Sequence, residues 1–164
     1  MSNHAKKRAL QPSGFKRTMN CPGWGVFCDT HNIPPSPSSI YAIEGSAAHY
    51  LGEKCLRQNK DADHLVGKNI TLDERGKLVK VKCTVEMADA VQVYVDEIRR
   101  KRASLVGATF KIEERLDLGW LVPGMSGTGD HVAIEPLGTL YVDDYKHGQG
   151  AMVEVGDAVG DNPP

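Results

Sequence analysis

Asp144 and Lys146 stand two residues apart at the end of "TLYVDDYK" (139–146), the single acid-x-lysine triplet among the twelve lysines of the chain. Residues two apart on a strand share a face, so this carboxylate and this ammonium project to the same side. Upstream, "GDHVAI" supplies Asp130, which shares a face with Val132 and Ile134. Paired as a hairpin, the two segments turn Val132, Ile134, Leu140 and Val142 toward one helix and bring Asp130, Asp144 and Lys146 together where the sheet ends. Two carboxylates a few ångström apart repel unless a cation lies between them. Mg²⁺ takes carboxylate oxygens and water. A lysine beside it holds an attacking water or offsets charge growing on a phosphate. Together these parts make a metal-dependent phosphodiester-hydrolysis site. The same triplet also fits a plain salt-bridged hairpin end.

Several elements must position these residues. "SAAHYLGEKCLRQ" has Ser46 as N-cap and Ala47, Leu51 and Cys55 at helical spacing. "TVEMADAVQVYVDEIRRKRASL" (84–105) is a stronger helix, with Val85, Ala88, Val91, Val95 and Ile98 as its apolar stripe. After Gly107, "TFKIEERLDL" alternates, with Phe110, Ile112 and Glu114 on one face and Lys111, Glu113 and Arg115 on the other. "SGTGDHVAIEP" and "GTLYVDDYK" are the next two strands, joined by a turn at 135–138. Helix, helix and three adjacent strands predict an α/β (α+β) domain with a mixed sheet, central antiparallel strands and flanking helices. Residues 20–39, rich in Pro, Gly and Ser, read as loop. Residues 59–82 read as a polar surface excursion with a short strand near 78–81.

The chain has 164 residues, 40% hydrophobic and 25% charged, with a net charge of −1. That is enough for one domain with its own core. No apolar run approaches the roughly 18 residues of a membrane span, and the basic start "MSNHAKKRALQPSGFKRTMN" has no apolar core of a signal peptide. The reading is a cytoplasmic protein with a flexible basic segment at 1–19. The near-neutral charge excludes a globally basic nucleic-acid binder, but Arg99, Arg100, Lys101 and Arg102 form a cluster that could meet phosphates. The same run fits a helix C-terminus, where cations are favoured by the dipole. Cys21, Cys28, Cys55 and Cys83 are widely spaced, which excludes the common zinc patterns.

Taken in order, "NCPGW" (20–24), "EGSAAH" (44–49), "GTGD" (127–130) and "DYKHGQG" (144–150) resemble the RecB-like branch of the PD-(D/E)xK nuclease superfamily. The chain is most similar to an uncharacterised family of phage and prophage proteins in that superfamily, whose members open with an "NCPGS"-like segment. The resemblance spans residues 20–162. It implies a restriction-endonuclease-like core over 20–164 and a Mg²⁺- or Mn²⁺-dependent DNA nuclease, exonuclease-like, whose partners are DNA and phage recombination proteins and not a membrane. It implies that His49, Asp130 and Asp144 ligate the metal and that Asp130, Asp144 and Lys146 are catalytic. Glu44 carries a weaker claim. Glu113 and Glu114 occupy the strand where related nucleases sometimes have a further acid, and because alternation puts them on opposite faces, at most one enters the cleft.

The sequence departs from the family pattern in two respects. The pattern continues past the D-x-K strand into a helix bearing Q-x-x-x-Y, whereas this sequence ends in "VGDNPP"; a domain lacking that helix is the expectation. Some RecB-like relatives bind an iron–sulfur cluster through one early and three late cysteines. No cysteine follows Cys83, so no cluster is expected. A nuclease inactivated by truncation, retained as a nucleic-acid-binding or assembly module, is the competing reading. A small-molecule phosphohydrolase would use the same acids, but no phosphate-cradling glycine loop supports it.

Overall fold

The computed structural model of the chain describes residues 15–34, 36–120 and 125–148. Most of the basic N-terminal segment, the last two residues of "DYKHGQG" and the stretch that would carry a terminal helix lie outside these residues. Two short helices open the described chain, α1 (Phe15–Asn20) and α2 (Trp24–Thr30). Both fall in stretches read from the sequence as unstructured or loop. α2 is short enough to be hidden by its Pro- and Gly-rich flanks, and it buries Gly25 and Cys28.

The long helix α3 (Ile40–Gln58) starts six residues before the expected Ser46. Ser39 is the cap, accepting from the Ala42 N–H at 3.1 Å, and the Ser46 hydroxyl instead donates back to the Ala42 carbonyl. A hydroxyl near the start of a helix serves either purpose, so sequence spacing does not separate the two. Asn59 ends α3 in the left-handed conformation. A short 3₁₀ turn (Ala62–Leu65) follows. The "surface excursion" is then a two-stranded antiparallel hairpin, β1 (Asn69–Glu74) and β2 (Lys77–Lys82). Its two-residue loop, Arg75-Gly76, has φ of 60° and 83°, the conformation that matches strand twist in tight hairpins.

Helix α4 (Val85–Ser104) begins where the sequence puts it, with Thr84 capping the Met87 N–H at 3.1 Å. Ala88, Val91, Val95 and Ile98 are buried as expected, but Met87 takes the place given to Val85, which stays exposed. This stripe meets Ala47, Ala48, Leu51, Cys55 and Leu56 of α3, with Ile70 of β1 closing one side. Each fully buried aliphatic side chain contributes about 1.5–3 kcal/mol, so this two-helix interface dominates the fold. Gly52 of α3 is part of it: a Cβ there would lie 3.2 Å from the Tyr94 ring of α4.

The remaining strands form an antiparallel meander, β3 (Thr109–Asp117), β4 (Ser126–Ile134) and β5 (Leu140–Asp143). The fold is therefore mixed α+β, as expected, and every strand pair among the described residues is antiparallel. The turn at 135–138 is present, with the Gly138 N–H on the Glu135 carbonyl at 2.9 Å.

One expectation is reversed. The face with Leu140, Val142 and Ile134 does not pack on the helices. Those side chains are exposed, and Val132, the fourth residue expected on that face, is buried but outside the helical core cluster. Instead Asp143 reaches Lys101 of α4, and Tyr145 packs on the helical core. Apolarity pointed to the wrong face because the helical side is held by ion pairs and aromatic rings.

Candidate metal centre

The site begins with a fault in a strand. In the β3–β4 ladder Ile112 pairs with His131 and Glu114 with Gly129, and the pairing between them is lost. At that gap Glu113 adopts φ of 52°, a left-handed conformation that costs a non-glycine residue about 1–2 kcal/mol. Regular alternation stops there. Ile112 packs on the helical core and its paired residue His131 meets α4 through Arg102. Their neighbours Glu113 and Asp130 nevertheless turn to the same side, toward His49 on α3. Beyond the gap the faces have exchanged, and a Cβ on Gly129 would meet Val132 and Val142 at 2.9 and 3.3 Å.

His49, Glu113 and Asp130 thus form one half-buried cluster whose ligand atoms all lie within 4.8 Å of one another. His49 Nδ1 is 3.1 Å from Asp130 Oδ2. The same oxygen accepts the backbone N–H of Tyr145 at 2.6 Å. Tyr145 is fixed in turn by stacking on Tyr94, centroids 4.8 Å apart, and by an edge contact with His49 at 5.3 Å. The alignment runs from Gly52 through Tyr94 and Tyr145 to Asp130.

Electrostatics follow from this geometry. The hydrogen bond that His49 donates to Asp130, outweighing burial, raises the His49 pKa above its ordinary value. Burial works against ionisation of Asp130, but the bonds from His49 and Tyr145 prevail and hold its carboxyl below the usual range. Glu113 is pushed up, by burial first and then by the charges of Asp130 and Glu53. Two acids and one imidazole therefore share a half-buried space in which one acid resists ionising, the condition a cation relieves.

Of the residues singled out in the sequence, His49, Asp130 and Glu113 come together. Glu114 does not; it pairs with Lys111. Glu44 is exposed on the first turns of α3, outside the cluster. Asp144 is also outside it, its carboxylate 2.5 Å from Lys146 Nζ with both side chains more than half exposed. Lys146 is still near enough for its charge to lower the pKa of both His49 and Asp130. The "RRKR" run is engaged within the chain: Arg99 with Asp61, Arg100 with Glu97, Lys101 with Asp143, and Arg102 with His131.

Sequence reading missed Tyr94, Tyr145, His131 and Asp143. Three of them, His131, Asp143 and Tyr145, directly follow or precede predicted site acids, and that adjacency was the one signal available.

The donor set fits a hard divalent ion. One imidazole and two carboxylates suit Mn²⁺ or Mg²⁺. Neighbouring ligands around an octahedral ion with bonds of about 2.1 Å are separated by about 3 Å, close to the His49–Asp130 spacing of 3.1 Å. A family model described as "Protein of unknown function (DUF2800)" matches residues 4–163. No solved structure matches the chain.

Proposed function

The chain belongs to the DUF2800 family, and on that premise we propose that it is a Mg²⁺- or Mn²⁺-dependent DNA nuclease of phage or prophage origin, exonuclease-like and cytoplasmic. The observation that carries this reading is the His49–Glu113–Asp130 cluster lying within the field of Lys146. His49, Asp130 and Glu113 would hold the ion. Bound there, a divalent ion supplies Lewis-acid polarisation of a phosphate oxygen and a more acidic water. The chain's own residues do the rest. Tyr145 holds Asp130 through its backbone N–H, so the carboxylate is aimed before substrate arrives. Lys146, released from Asp144, orients the water or offsets charge on the phosphate. DNA is the partner this chemistry implies, and phage recombination proteins are partners only as the family resemblance implies them.

One observation favours the competing reading, a nucleic-acid-binding or assembly module without turnover: Asp144 is turned to Lys146 rather than into the cluster. The two readings separate in a cleavage assay on linear DNA. A nuclease cuts with Mn²⁺ or Mg²⁺, stops with EDTA, and loses about 10²–10³ of its rate in Lys146→Ala while retaining metal affinity. Cleavage indifferent to both EDTA and Lys146 defeats the nuclease. DNA binding without cleavage under any metal establishes the module.

A further inference from the structure

We propose that His131 and Asp143 are a positioning pair that fixes the backbone beside Asp130 within β4 and the point where Asp144 leaves β5, with Lys101 and Arg102 of α4 as its anchors. What is positioned rests on the metal-site reading; the pair itself rests on geometry. His131 and Asp143 are directly opposed on β4 and β5. Asp130 directly precedes one, and Asp144 directly follows the other. His131 is fully buried, and both of its ring nitrogens have partners. Arg102 Nε donates to Nε2 at 3.1 Å, and Nδ1 lies 2.9 Å from Asp143 Oδ2.

These contacts assign the proton. A guanidinium has no acceptor, so Nε2 must offer its lone pair, and Nδ1 then carries the hydrogen donated to the carboxylate. The other oxygen of Asp143 receives Lys101. Phe110 covers the imidazole, centroids 5.9 Å apart, and Arg102 lies over Phe110 at 5.6 Å. β5 has four residues, and Leu140 and Val142 on it are exposed. Little apolar packing fixes its place, so the polar network supplies the register. The "RRKR" run acquires a role by the same contacts: its last two cations brace the sheet instead of facing DNA.

Three readouts on the full chain test the pair. Imidazole ¹⁵N spectra should show His131 as the Nδ1–H tautomer, and the Nε2–H form overturns the assignment. Amide exchange at Tyr145, whose N–H is held by Asp130, should be about tenfold faster in His131→Leu and in Lys101→Met, while Leu51 in α3 is unchanged. His131→Asn, which keeps a donor near the place of Nδ1, should restore most of the protection. Lys101→Met keeps the test decisive if His131→Leu fails to fold, and unchanged Tyr145 exchange overturns the proposal. Mn²⁺ affinity should fall about tenfold in the two disruptive variants. A parent that binds no Mn²⁺ yet shows the Tyr145 effect sinks the metal-site reading and sustains the pair. A parent that binds Mn²⁺ with affinity and exchange indifferent to both variants sinks the pair alone.

Discussion

Glu113 faces Asp130 across the gap in the β3–β4 ladder, with the backbone of Glu113 left-handed and both carboxylates turned toward His49. A strand of nine residues thereby gives up one rung and its alternation to bring two acids to one side. A non-glycine residue persists in such a conformation when its surroundings over-determine it, which is commonest at sites with a task. Here the strain and the crowding of carboxylates coincide at one residue.

Stability and binding should therefore move in opposite directions at Glu113. Glycine adopts φ of 52° without steric cost, so Glu113→Gly should be about 1 kcal/mol more stable than Glu113→Ala. Urea denaturation of both variants measures the difference. Both should lose Mn²⁺ affinity, because neither keeps the carboxylate. Equal stability of the two variants would mean that the backbone is not strained there.

Metal binding should be visible without any substrate. An ion bound only by the native state stabilises it by about 2.7 kcal/mol at a hundredfold excess over Kd, roughly 5–10 °C in Tm for a chain of this size. Mn²⁺ titrated against the parent should produce that shift, and EDTA should reverse it. His49→Ala should abolish it. A shift of the same size in His49→Ala places the ion elsewhere.

Helix α4 was legible nearly to the residue, because its cap and stripe are local and periodic. The meander order and the 135–138 turn were legible for the same reason. The packed face of β5 was not. Alternation gives two faces but not which one meets the helices, and here Tyr141, Asp143 and Tyr145 lie on the inner side while Val142 stays half exposed. His49 was found through motif resemblance and Asp130 through strand reading as well, and the two do meet. Asp144 was placed with them by strict alternation, which the fault at Glu113 breaks. No local rule announces a left-handed glutamate inside "KIEERL", because its cost is offset by contacts distant in sequence.

Acid should weaken the His131–Asp143 network in a defined window. Burial disfavours the Asp143 carboxylate, but hydrogen bonds from Lys101 and His131 outweigh it, so the folded pKa lies below the ordinary 3.8. A depressed carboxylate pKa contributes stability that is complete above the unfolded value and is lost as pH falls through the folded one. Asp143→Asn should thus cost roughly 1.5–3 kcal/mol at pH 7, the same at pH 5, and progressively less below about pH 4. Denaturation of parent and variant at pH 7, 5 and 3 checks this. A difference that stays constant down to pH 3 would falsify the claim that ionised Asp143 is the stabilising form.

If DNA is the partner, its phosphates need cations that the fold has not already used. Arg99, Arg100, Lys101 and Arg102 are engaged within the chain. Lys80 and Lys82 are exposed on alternate positions of β2, with Val81 between them turned to the core. Neither has an ion-pair partner among the described residues. Each phosphate contact contributes about 0.9 to the slope of log affinity against log salt for duplex DNA. Lys80→Gln with Lys82→Gln should therefore flatten that slope by about 1.8, whereas Arg100→Gln should leave it nearly unchanged. Fluorescence anisotropy of a labelled duplex at several salt concentrations reads both slopes. The reverse result, with the slope set by Arg100 and not by the hairpin lysines, would return the phosphate contacts to the end of α4 and require its ion pairs to open on binding.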